Sequence, residues 1–135
     1  MASACARAGM GVYVPLLDGH GRVDLVIERD VSLLRVQCKS AVLRGPNVVY
    51  FRTCSNTANA PRDYVGEVDA FGIYSPQLER VYLVPIEGLG QRGCHLRLGP
   101  TRNGQQKGIR FAADYEVRPL PVALHDEEGE PIPGR

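Results

Sequence analysis

The chain has 135 residues, 44% of them hydrophobic, which suits one domain with a real core. A formal net charge of +1 excludes a strongly basic polyanion trap, so any nucleic-acid contact needs local clusters of Arg and Lys. The longest apolar runs are short, such as residues 81–86, which excludes a membrane-spanning helix, and the N-terminus MASACARAGMGVYVPL lacks the long apolar stretch of a secretory signal.

Residues 2–9 read as a short helix ending at Gly9. Residues 11–17 read as a strand in which Val12, Val14 and Leu16 alternate, with Pro15 placing it at a sheet edge. Asp18-Gly19-His20-Gly21 is a turn, and His20 reads as a turn residue with a phosphate contact as the alternative. Residues 23–28 and 32–38 are strands joined by a turn at Glu28-Arg29-Asp30. The second has Leu34 and Val36 on one face and Leu33, Arg35 and Gln37 on the other. Residues 48–53 form a fourth strand, and the polar stretch 54–63 reads as a flexible loop. Residues 64–70 read as a short helical turn, 70–74 and 80–86 as strands joined at Ser75-Pro76, and 95–98 as a short strand. Residues 100–108 form a polar loop and 109–115 read as helical.

Residues 1–118 thus form one domain, and 119–135, Pro-rich and acidic, read as a disordered tail. Several antiparallel strands with few short helices make a mixed α/β domain, or an α+β one, on a central sheet. Cys5, Cys38, Cys54 and Cys94 are far apart with no C-x-x-C, which points to a reducing, cytoplasmic setting rather than a disulfide scaffold.

The run RVDLVIERDVSLLRVQCK holds the chemistry. Side chains two apart in a strand share a face, so Gln37 and Lys39 point the same way, with the Cys38 thiol opposite, into the core. A hairpin turning at Arg29-Asp30 brings Asp24 opposite residues 36–39. The polar groups can therefore cluster. A carboxylate with amide and carbonyl oxygens suits a hard divalent cation, and a lysine suits the charge that grows on a phosphate under attack. Equally, a strand-end Asp serves as a turn or cap residue.

The segments VYVPLLDGHGRVDLVIE, LLRVQCKSAVL, VVYFRT, DYVGEVDAFGIYSPQLERVYLVPI and LRLGPTRNGQQKGIRFAADYE, spanning residues 11–117 in order, resemble the group I intron-associated homing endonucleases of the PD-(D/E)XK nuclease superfamily. The resemblance implies a restriction-endonuclease-like core, Mg²⁺-dependent (alternatively Mn²⁺-dependent) cleavage of double-stranded DNA, and a homo-oligomer, dimer or tetramer. It implies Asp24 as metal ligand, with the Cys38 backbone carbonyl beside it. Gln37 stands in the slot where the superfamily has Asp or Glu and this subgroup has Gln, and Lys39 is the motif lysine. It also implies a longer first helix carrying a glutamate, at a position that would precede Met1; this sequence has no acid before Asp18. The chain is therefore expected to be a DNA endonuclease, or else a catalytically impaired nuclease-fold module that binds DNA without cutting it; an interaction domain with no nucleic-acid role is the third reading.

Arg102, Asn103, Gln105 and Lys107 combine phosphate-binding cations with amides suited to adenine edges; the alternative is a loop whose side chains bond their own backbone. Arg62, with Arg44 and Arg52, is a further candidate for phosphate contact, or part of a solvated sheet edge. Glu67 and Asp69 are either a ligand brought from elsewhere in the fold or capping acids, and Tyr64 either stacks on a base or packs in the core.

Overall fold

Alternation of apolar and polar residues through 32–40 makes the longest strand, and the other elements are arranged around it. The computed structural model describes residues 1–17, 21–57 and 60–121. It has a short helix α1 (Ala2–Arg7) and strands β1 (Gly11–Tyr13), β2 (Leu25–Arg29), β3 (Ser32–Ser40), β4 (Val42–Leu43) and β5 (Val48–Arg52). These are followed by β6 (Cys54–Thr57), β7 (Ala60–Asp63), β8 (Ala70–Ser75), β9 (Arg80–Pro85), β10 (Gly93–Arg97) and a 3₁₀ turn, Ala112–Asp114. The main sheet runs β1-β2-β3-β8-β9, a smaller sheet runs β10-β5-β4, and β6 and β7 form a separate hairpin.

The main sheet is mixed because β3 and β8 pair in parallel while its other pairs are antiparallel. Parallel strands need a long crossover, and β4 to β7 supply it. Both faces of the sheet are covered, so β8 is buried from Ala70 to Ile73 without alternation. On one face α1 inserts Cys5 among Leu25, Ile27, Val36, Ala70 and Leu83. Gly72 lies under the Met1 side chain, where a Cβ would meet the Met1 methyl at 2.9 Å. On the other face Phe71, Ile73, Tyr82 and Val84 pack against Val49, Phe51, Cys94 and Leu96 of the smaller sheet.

Several expected elements differ. The stretch 54–63, expected as a flexible loop, is the β6–β7 hairpin, pairing Cys54 with Asp63 through Thr57 with Ala60. Its polar residues carry no hydrophobic alternation, so it lacks the usual strand signal. Residues 64–70 form a turn rather than a helix: Glu67 N–H and Val68 N–H both donate to the Tyr64 carbonyl before β8 begins. Residues 109–115 contribute an isolated Arg97–Phe111 bridge and the 3₁₀ turn, not a longer helix. The first strand stops at Tyr13, ahead of Pro15, whose ring cannot donate to a ladder. Asp18 and His20, and the tail from residue 122, lie outside the described residues. All four cysteines are free thiols, consistent with their spacing.

One ion pair fastens the parallel junction. Asp69 Oδ2 accepts the Arg35 backbone N–H at 2.8 Å and Nε at 3.0 Å, while Oδ1 accepts Nη2 at 3.0 Å. The Arg35 guanidinium, then its backbone N–H, holds the Asp69 carboxyl below the usual carboxylate range. A depressed carboxylate stabilises the fold above its unfolded pKa, and that contribution is lost as pH falls through the folded pKa. Asp69→Asn should therefore lower the urea midpoint near neutral pH, with the gap to wild type closing in acid below the carboxylate range.

Phe71 is fully buried and contacts the rings of both Phe51 and Tyr64. Phe71→Ala should cost about 3–5 kcal/mol, read as a fall in the urea midpoint.

Candidate active site

The β2–β3 register sets the geometry. Leu25 faces Val36, and Asp24 N–H donates to the Val36 carbonyl at 2.8 Å, extending the ladder by one residue. Asp24 therefore comes beside Gln37, on the face opposite the Leu25–Ile27–Val36 core. β2 ends there, and Asp24 Oδ2 accepts the Cys38 N–H at 2.7 Å, filling the place of the missing strand partner.

Gln37 is half-buried and donates Nε2 to the Cys38 carbonyl at 3.3 Å. Lys39, also half-buried, donates Nζ to the Tyr64 hydroxyl at 3.1 Å and to the Cys54 carbonyl at 3.3 Å. An ammonium has three donors, and the described residues take two of them. Among the described residues Lys39 forms no ion pair with Asp24. The Cys38 thiol faces away, beside the α1-side core. Burial first, and the Asp24 charge second, push it up to about 11, so it is protonated and inert at neutral pH.

Tyr64 connects the cluster to a second group of residues. It is buried, with Phe71 edge-on at 5.6 Å between centroids. The Arg22 guanidinium lies over its ring at 3.6 Å. Arg22 is held in turn by Glu67 Oε1 at 3.0 Å, the Ser55 hydroxyl at 2.6 Å and the Asp63 carbonyl. Arg62 takes the other Glu67 oxygen at 2.9 Å.

Asp24, Gln37 and Cys38 are thus brought together, while Lys39, next along β3 on the Gln37 face, is bonded to Tyr64 and Cys54. Arg62 joins the outer group through Glu67. Glu67 and Asp69 are engaged by arginines, Glu67 by Arg22 and Arg62, Asp69 by Arg35. In the loop 100–108, Asn103 Oδ1 accepts Gln105 N–H at 3.0 Å, and Gln105 Nε2 donates to the Lys107 carbonyl at 3.1 Å. Those two amides bond their own loop, while Arg102 and Lys107 are exposed. No hydrogen bond among the described residues ties this loop to Asp24, Gln37 or Lys39. Arg22 is the residue that sequence reasoning misses: its partners at Ser55, Asp63 and Glu67 are distant along the chain, and only its nearness to Asp24 hints at a role.

The available donors are hard oxygens: the Asp24 carboxylate, the Cys38 carbonyl and the Gln37 amide oxygen. They fit a cation such as Mg²⁺, which keeps several waters and takes one or two carboxylates plus substrate phosphates. Among the described residues no group of three or more His, Cys, Asp and Glu side chains forms a metal cage. Such a cation would have few protein ligands among the described residues.

A family model described as PD-(D/E)XK endonuclease matches residues 1–118. Among solved structures, the chain is similar to a bacterial homing endonuclease, I-Ssp6803I, with 25% identity and a TM-score of 0.55 over 86% of this chain and 81% of that one. No curated protein matches the sequence.

The chain has only two lysines, Lys39 and Lys107, which makes the Tyr64 contact directly testable. Tyr64→Phe should accelerate reductive ¹³C-methylation of Lys39, followed by NMR, and leave exposed Lys107 unchanged. Loss of the hydroxyl should cost about 1 kcal/mol of stability.

Proposed function

The chain is a member of the PD-(D/E)XK endonuclease family, and from that premise we propose that it hydrolyses phosphodiester bonds in double-stranded DNA with Mg²⁺ or Mn²⁺. We read it as a homing-type endonuclease of the group I intron-associated kind, cytoplasmic and working as a dimer or tetramer. The observation that supports this reading is Asp24 held beside Gln37 and Cys38 at the open end of the β2–β3 hairpin, with Lys39 two residues further along β3. Similarity to a bacterial homing endonuclease supports it.

In this reading Asp24, the Cys38 carbonyl and the Gln37 amide oxygen would hold the cation. Gln37 must turn its amide to do so, because Nε2 now faces the Cys38 carbonyl. When bound, such a cation polarises the phosphate and lowers the pKa of a coordinated water. Lys39 keeps one N–H for the phosphate oxygens, where charge grows as attack proceeds. Tyr64 and the Cys54 carbonyl hold that ammonium away from a collapsed pair with Asp24. Arg62, Arg102 and Lys107 supply phosphate contacts, and Asn103 and Gln105 read base edges once released from their own loop. Two strands and one cluster per chain call for at least two copies related by symmetry.

A second reading, a nuclease fold that binds DNA without cutting, is favoured by one observation: among the described residues Asp24 is the only carboxylate in the cluster, since arginines hold Glu67 at both oxygens.

Nicking of supercoiled plasmid with Mg²⁺, Mn²⁺ or EDTA separates the two. Wild type should cut only with metal. Lys39→Ala and Asp24→Asn should each slow cutting by about 10²–10³ while still retarding duplex DNA in a gel. Full-rate cutting by Lys39→Ala would remove Lys39 from the reaction. Retardation by wild type with no metal-dependent nicking would select the binding module.

A further inference from the structure

The outward face of the smaller sheet carries a concentration of positive charge that the catalytic cluster does not use. Val49, Phe51, Cys94 and Leu96 point into the core, so Tyr50 and Arg52 of β5 and His95 and Arg97 of β10 point outward. The register places His95 directly across from Tyr50. Their rings lie 4.8 Å apart, and the Arg44 guanidinium covers the Tyr50 ring at 3.6 Å. Gly93 makes this ledge possible: a Cβ there would lie 2.3 Å from the Tyr50 hydroxyl, so only glycine lets the tyrosine lie across the sheet. Beside the ledge a cleft of about 250 Å³ is lined by His95, Arg97 and Arg110 among backbone.

Arg44, Arg52, Arg97 and Arg110 form no ion pair with any described carboxylate. β4, β5 and β10 contain no acid at all. Four arginines on one face with no described carboxylate partner stand out in a chain of net charge +1. Fourteen of the sixteen basic residues are Arg, the side chain whose planar fork suits phosphate. The strip is also continuous with the site: Arg52 is followed two residues later by Cys54, whose carbonyl holds Lys39.

We propose that this face, with the Arg44–Tyr50–His95 ledge at its centre, is a docking surface for the phosphate backbone of DNA beside the segment engaged by the Asp24–Gln37–Lys39 cluster. The proposal rests on the nuclease reading for its ligand. Duplex DNA is the occupant because the face offers cations and stacked aromatics without a carboxylate or an extended apolar patch.

The test is the salt dependence of binding to a short fluorescent duplex. Arg44→Gln combined with Arg52→Gln should weaken binding and reduce the slope of log K against log salt by about 1.8, roughly 0.9 for each phosphate no longer neutralised. Both residues are exposed, and thermal unfolding checks that the double variant folds. Arg7→Gln with Arg118→Gln, away from this sheet, should keep the wild-type slope. An unchanged slope in the first variant, or an equal loss in the second, overturns the docking face alone. A wild-type chain that binds no duplex overturns the nuclease reading and the docking face together.

Discussion

The register of one hairpin is the constraint on which the cluster depends. With Leu25 against Val36, the apolar residues of β2 and β3 face α1, and Asp24, Gln37 and Lys39 face the other way. A slip of β2 by one residue would send Asp24 toward Cys5 and turn Leu25 and Ile27 away from the α1-side core. Each of those buried side chains is worth about 1.5–3 kcal/mol. Hydrophobic burial on one face therefore fixes polar geometry on the other. Asp24, Gln37 and Lys39 need contribute nothing to stability to be held in place.

Covering both faces of the sheet creates a difficulty that Tyr64 resolves. A half-buried ammonium at Lys39 loses water and needs acceptors in return. It finds one in the Cys54 carbonyl, at the start of β6, and another in the Tyr64 hydroxyl. Tyr64 is held between Phe71 below and Arg22 above. Arg22 reaches the β6–β7 hairpin at Ser55 and Asp63 and the following turn at Glu67. The polar hairpin is thereby pinned to the main sheet at the point where Lys39 needs it. The two carboxylates that sequence offers as spare ligands, Glu67 and Asp69, are employed in this fastening and in the β3–β8 junction.

What can be read from the sequence divides along the range of the interactions. Alternation in residues 32–38 and the turn at Arg29-Asp30 are local, and they place Gln37 and Lys39 on one face and Asp24 within reach. The resemblance to intron-associated nucleases rests on segments in order and places the chain among PD-(D/E)XK endonucleases, and the match over residues 1–118 bears out that broader family. The parallel pairing of β3 with β8 is not local, since the partners are more than thirty residues apart in the chain. Nothing in either strand marks the other as its neighbour, and the expectation of antiparallel strands misses it. The β6–β7 hairpin escapes notice because Ser55, Asn56 and Thr57 show no hydrophobic period. Arg22 escapes because its role is defined wholly by contacts made after folding.

The lean ligand set bears on how a nuclease of this form would work. In the proposed reading Asp24 alone would bring about one negative charge to a dication, and Lys39 would add a positive charge nearby. A hard cation with so few protein ligands keeps most of its water until substrate phosphate oxygens replace some of it. Cation and DNA would then each raise the other's affinity by the same factor, as linkage requires. In such an arrangement the cation adds little to grip on DNA until a phosphate is already in position, so first capture falls to fixed cations. On the proposed docking face those would be Arg44, Arg52, Arg97 and Arg110, which form no ion pair with any described carboxylate.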